Sequence, residues 1–94
     1  HDVYANRGAN GIDGQLSTFF GWTAGAGVPA WAVVGDLTAM YDLAAPWIVR
    51  QLETRPRRIV IVNNGGGMIF KNLFREEGPL NRHAFGFAEW AKQW

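Results

Sequence analysis

Two short apolar runs constrain this chain more than anything else in it. Ala30–Val34 (AWAVV) and Arg58–Val62 (RIVIV) are rich in β-branched residues, and each stops abruptly at polar or flexible residues. Gly35-Asp36 follows the first, and Asn63-Asn64-Gly65-Gly66-Gly67 follows the second. The segment between them is long enough for a crossover helix, so the pattern predicts a β-α-β unit. Strands joined in this way run parallel with a right-handed crossover. Asp36 and Asn64 therefore meet at the carboxyl edge of the sheet, where open α/β sheets bind ligands. The expected class is α/β, a parallel sheet with helices on both faces.

The chain has 94 residues, enough for one small domain. Hydrophobic residues make up 48% and charged residues 18%, the balance of a globular rather than a disordered chain. A formal net charge of +1 gives no strong pull toward nucleic acid. Arg50, Arg55, Arg57 and Arg58 read as a solvated helix end and loop, not a nucleic-acid patch. The absence of cysteine excludes a disulfide framework and a thiolate metal site, and is compatible with a cytoplasmic location. No apolar run approaches the roughly 18–20 residues that span a bilayer. The chain opens at His1 without a methionine or a signal-peptide pattern, and ends at Trp94 inside a helical pattern. Together with five tryptophans, more than a small sheet can easily bury, this suggests that residues 1–94 are part of a longer protein.

Taken in order, Val3-Tyr4-Ala5 reads as a short strand. Asn6–Gly11 is a loop, and Asp13 is a candidate cap for a helix running through Leu16–Thr23. Leu16, Phe19 and Phe20 share one face of that helix. Leu37–Tyr41 suggests a short helical turn, and Asp42 a cap for a crossover helix over Leu43–Leu52. Pro46 is tolerated in its first turn. Met68–Phe74 reads as a short helix after the glycine run. Phe87–Trp94 resumes a helical pattern with Phe87, Trp90, Ala91 and Trp94 on one face. His83 reads as a loop residue, with Arg82 nearby leaving a substrate contact open.

The Asp36…Asn64 pair carries the chemistry. Mg²⁺ prefers near-octahedral oxygen ligands and is often held by few protein groups plus phosphate oxygens. Asp36 offers a carboxylate, Asn64 an amide oxygen, and Gly65–Gly67 a backbone carbonyl. Singly, the aspartate suits a helix cap and the asparagine a tight turn. At the ends of adjacent parallel strands, the two together favour an ion and diphosphate site.

Gly35-Asp36 followed, after a β-α-β unit, by Asn63-Asn64 resembles the GDG…NN fingerprint of thiamine-diphosphate enzymes, with Leu37 in place of the last glycine. The stretches Asn6-Arg7-Gly8-Ala9, Gly11-Ile12-Asp13-Gly14, Leu16-Ser17-Thr18, Gly35–Thr38, Tyr41-Asp42-Leu43 and Asn63–Gly66 with Ile69-Phe70 narrow the likeness. They resemble the 2-succinyl-5-enolpyruvyl-6-hydroxy-3-cyclohexene-1-carboxylate synthases of menaquinone biosynthesis. Asn10 stands where serine is familiar in that family, and Gly65 where a third asparagine occurs.

The resemblance implies part of a diphosphate- and Mg²⁺-binding domain of a carboligase. Such an enzyme decarboxylates 2-oxoglutarate and adds the succinyl unit to isochorismate. Asp36, Asn64 and the Gly66 carbonyl would hold Mg²⁺ (or Mn²⁺). Leu37, Thr38, Gly67 and Ile69 would line the diphosphate, and Ile12 would pack near the bent thiamine cofactor. Arg7 would grip a substrate carboxylate, and Phe70 with Ile69 would wall the reaction centre. The activating glutamate of such enzymes lies on a pyrimidine-binding domain, commonly of a partner subunit in a homo-oligomer. None of Glu53, Glu76, Glu77 or Glu89 matches its context. Two alternatives stay open: another thiamine-dependent decarboxylase or carboligase, such as an acetolactate synthase-like enzyme, and a non-catalytic folded fragment.

Overall fold

The structure is a computed structural model, and it describes residues 2–6, 11–25, 27–53, 56–68 and 82–94. The element order is α1 (Gln15–Thr23), β1 (Ala30–Gly35), α2 (Asp36–Met40), a 3-10 helix (Ala45–Gln51), β2 (Arg57–Val62) and α3 (Phe87–Ala91). The strands β1 and β2 pair in parallel, from Ala30 opposite Arg57 to Gly35 opposite Val62. The parallel α/β unit expected from the two apolar runs is therefore formed, and both strands end level with each other.

Alternation along the strands decides what packs where. Ala30, Ala32 and Val34 of β1 and Ile59 and Ile61 of β2 are half-buried, and their neighbours along each strand are mostly exposed. The half-buried set faces the core, built from Leu16, Phe19 and Phe20 of α1 and Ala39 of α2. The shared face of α1 read from the sequence is thus its buried face. Phe87 and Trp90 of α3 pack on the same core, and Trp90 Nε1 donates to Leu43 O at 2.9 Å. The helices that the described residues contain gather on this one face. On the other, Trp31 and Val33 of β1 are 62% and 70% exposed, with the Arg58 guanidinium 5.0 Å above the Trp31 ring. Among the described residues no helix is long and apolar enough to cross a membrane.

Four local expectations need correction. Residues 2–6 form no strand. That segment is held by side chains instead: Tyr4 meets the Trp22 ring edge-on, and Asn6 Nδ2 donates to Gln15 Oε1 at 2.6 Å. Asp13 does not cap α1, because Gly14 occupies the cap position with φ 70°, a left-handed conformation suited to glycine. The capping carboxylate comes from Asp42, which accepts Ser17 N–H at 2.6 Å and the Ser17 hydroxyl at 2.9 Å. With that side chain engaged on α1, the crossover starts later than expected, at Ala45, and winds as a 3-10 helix with Pro46 in its first turn. Arg57 is a strand residue rather than a loop residue. Its guanidinium donates to Thr23 O at 3.1 Å, Thr23 Oγ1 at 3.0 Å and Glu53 O at 3.0 Å, closing the carboxyl end of α1. Of the helix expected over 68–74, only Met68 falls among the described residues.

Because Asp42 caps a helix from another segment, its loss should loosen α1 against the crossover. Asp42→Ala is expected to lower the unfolding free energy by about 1 kcal/mol in chemical denaturation. Ser17→Ala should then cost less in that background than alone. Strictly additive losses would show that the two side chains do not work together.

Candidate functional site

The end of β1 places Asp36 at the sheet's carboxyl edge, as the first residue of α2. Asp36 is only 4% exposed. A buried carboxylate must be satisfied by donors, and here donors come from separate stretches of chain. Oδ1 accepts Leu37 N–H at 2.8 Å, and Oδ2 accepts Gly66 N–H at 2.9 Å. The ring Nε2 of His83 lies 3.0 Å from the same Oδ2. Burial pushes the Asp36 carboxyl up, but the hydrogen bonds from Leu37, His83 and Gly66 outweigh it. The group ends below the usual carboxylate range.

The turn after β2 approaches Asp36 through its glycines. Asn63 Oδ1 accepts Gly65 N–H at 3.0 Å, and Asn64 Oδ1 accepts Gly66 N–H at 3.3 Å. These side-chain turns fold the backbone back on itself. Gly65 has φ 82° and Gly66 φ 141°, values that side chains with a Cβ rarely adopt. The Gly66 amide is thereby shared between Asp36 Oδ2 and Asn64 Oδ1. Two side chains predicted from the sequence as ligands of one ion thus meet at one N–H. The Gly66 carbonyl accepts Met68 N–H at 2.8 Å and keeps a second lone pair.

Among the described residues, no group of three or more His, Cys, Asp or Glu side chains could hold a metal ion. An ion here would be held by one carboxylate, an amide oxygen, a carbonyl and oxygens of its ligand. That donor set fits Mg²⁺ or Mn²⁺ bound with phosphate better than a transition metal bound by protein alone. Leu37 and Thr38 follow Asp36 in α2, both half-buried, and Gly67 is buried beside Gly66. Ile12 is 39% exposed on the loop before α1, outside the hydrogen-bonded Asp36 group. Arg7, Ile69 and Phe70 lie outside the described residues.

The sequence reading missed His83 as a member of this group. It lies 47 residues from Asp36 in the chain, and no spacing or motif links the two. It does sit in a loop, as expected, but its side chain is 8% exposed.

The chain is 53% identical over 92 residues to a 2-succinyl-5-enolpyruvyl-6-hydroxy-3-cyclohexene-1-carboxylate synthase of Bdellovibrio bacteriovorus, covering 98% of this chain and 17% of that protein. The synthase of the same name from Akkermansia muciniphila is 45% identical over 101 residues, covering 99% of this chain and 19% of the relative. That of Edwardsiella ictaluri is 48% identical over 85 residues, covering 90% and 15%. No family model and no solved structure matches the chain.

The lowered pKa of Asp36 has a direct consequence for stability. Its folded-state value lies below its unfolded one, so its contribution is fully present above about pH 4. That contribution is lost as pH falls through the folded value. Metal-free protein should therefore lose stability on acidification below about pH 4 more steeply than its Asp36→Asn variant, measured by urea midpoints across pH. Parallel curves would mean that Asp36 does not stabilise the edge as an anion.

Proposed function

Because the chain belongs by sequence with the 2-succinyl-5-enolpyruvyl-6-hydroxy-3-cyclohexene-1-carboxylate synthases, as a segment spanning less than a fifth of their length, we propose that it holds the divalent cation and the cofactor diphosphate of such an enzyme. The observation that carries this reading is the strand register that brings Asp36 and the Asn63–Gly67 turn to one edge of the sheet, where they are joined through the Gly66 amide. Asp36, Asn64 and the Gly66 carbonyl hold Mg²⁺ or Mn²⁺. Leu37, Thr38, Gly67 and Ile69 line the diphosphate of thiamine diphosphate, and Ile12 packs against the cofactor. Arg7 binds a substrate carboxylate through its planar guanidinium, and Phe70 closes the apolar wall of the site with Ile69.

The longer enzyme decarboxylates 2-oxoglutarate and joins the succinyl unit to isochorismate in menaquinone biosynthesis, in the cytoplasm. The bound cofactor supplies the carbanion chemistry, while the protein supplies position and charge. Asp36 brings a fixed negative charge to the cation, and the cation offsets the charge of the diphosphate. The glycine run admits the ligand close to the backbone, since no Cβ projects there. The activating glutamate comes from the pyrimidine-binding domain of a partner subunit in a homo-oligomer. The names of the relatives favour this branch over an acetolactate synthase-like enzyme.

Calorimetric titration of thiamine diphosphate, with and without Mg²⁺, tests the site. Binding by the full-length enzyme should require the cation and be abolished in Asp36→Ala. Cation-independent binding, or full binding by the variant, would overturn the reading. The purified 94-residue chain alone should show no turnover of 2-oxoglutarate with isochorismate, since on this reading the activating carboxylate comes from the pyrimidine-binding domain. Steady product formation by that chain would contradict this.

A further inference from the structure

His83 has no part in the cation site as described, yet its backbone N–H and both ring nitrogens are engaged there. The backbone N–H donates to Gly65 O at 3.2 Å, which ties the 82–86 loop to the glycine turn. Ring Nδ1 accepts Phe85 N–H at 3.1 Å. A ring whose Nδ1 accepts carries its proton on Nε2. Nε2 therefore donates to Asp36 Oδ2, at 3.0 Å, and has no lone pair to offer a metal. The ring also meets Phe87 edge-on at 6.0 Å between centroids, and its side chain is 8% exposed, so its orientation is fixed on several sides.

The consequence lies in the lone pairs of Asp36. An ionised carboxylate has about two acceptor directions per oxygen. Oδ2 receives two donors, Gly66 N–H and His83 Nε2–H, and is filled. Among the described residues Oδ1 receives Leu37 N–H alone, which leaves it a second acceptor direction. Resting on the cation reading above, we infer that His83 is a positioning residue that closes Oδ2, so that Asp36 offers a divalent cation one oxygen only. A small octahedral ion such as Mg²⁺ is satisfied by single oxygens. Ca²⁺ takes more ligands and readily takes both oxygens of one carboxylate. His83 thereby sets the preference of the site for Mg²⁺ over Ca²⁺, without touching the ion.

The test is displacement of Mn²⁺ by Mg²⁺ and by Ca²⁺, followed by the paramagnetic resonance signal of free Mn²⁺. It is run on the full-length enzyme and on its His83→Phe, His83→Gln and Asp36→Ala variants. Phenylalanine keeps a ring without a donor, and glutamine restores a side-chain N–H. In the unmodified enzyme Mg²⁺ should displace Mn²⁺ at lower concentration than Ca²⁺ does. His83→Phe should shift the Mg²⁺ to Ca²⁺ affinity ratio toward Ca²⁺ by roughly tenfold, and His83→Gln should bring it back. An equal weakening of both ions, with the ratio unchanged, would mean that His83 only supports the fold, and would overturn the inference. If His83→Phe does not fold, the other three proteins still decide, because an unmodified enzyme that takes Ca²⁺ as readily as Mg²⁺ overturns it. Retention of Mn²⁺ by Asp36→Ala would instead strike the cation reading itself, and the inference with it.

Discussion

The buried carboxylate of Asp36 joins three parts of the chain that share no sequence neighbourhood. It receives the amide of Leu37, the second residue of α2, the amide of Gly66 in the turn after β2, and the ring of His83 in the 82–86 loop. Each hydrogen bond to a charged acceptor contributes about 1.5–3 kcal/mol, which offsets the cost of removing the carboxylate from water. Without it the Gly66 amide would keep only the longer contact to Asn64, and the His83 donor would lose the acceptor it now has. Among the described residues no buried side-chain polar atom lacks a partner. The carboxyl edge of the sheet is therefore organised by one side chain.

Asp36 can do this only because of strand register. With Gly35 opposite Val62, the residues that follow β1 and β2 leave the sheet side by side. A slip of β2 by one residue would turn Ile59 and Ile61 away from the core. It would also carry the Asn63–Gly66 turn away from Asp36. The packing of the core and the geometry of the edge thus enforce the same alignment. The cap that Asp42 places on α1 and the clasp of Arg57 on its other end fix the helix that covers this face.

The features legible in the sequence were those carried by local pattern. β-Branched runs marked the strands, the Leu16, Phe19 and Phe20 spacing marked the buried side of α1, and Asp36 with Asn64 marked the edge. What escaped was carried by contacts between segments. Asp13 looked like the cap of α1 because it precedes the helix, whereas the carboxylate that caps it is 25 residues from Ser17. Asp42 accordingly serves α1 rather than the crossover, which tightens into a 3-10 helix that no periodicity announces. Tyr4 belonged to an apolar triplet that looked like a strand, but its ring packs on Trp22. His83 had no motif at all. Its place follows from the loop that carries it back to Gly65, and a loop path is not written in residue spacing.

The donors around Asp36 also bear on why such an edge suits a cation. Leu37 N–H, Gly66 N–H and a ring protonated on Nε2 alone carry no formal charge. Their hydrogen bonds favour the ionised carboxylate over the neutral acid. With Phe85 N–H donating to Nδ1 the ring is neutral, so these donors stabilise the negative charge of Asp36 without neutralising it. A lysine or arginine in the same place would stabilise the anion as well, but would cancel its field and repel an incoming ion. Neutral donors separate two tasks that a salt bridge would merge: holding the carboxylate in place, and leaving its charge available to something that arrives from outside.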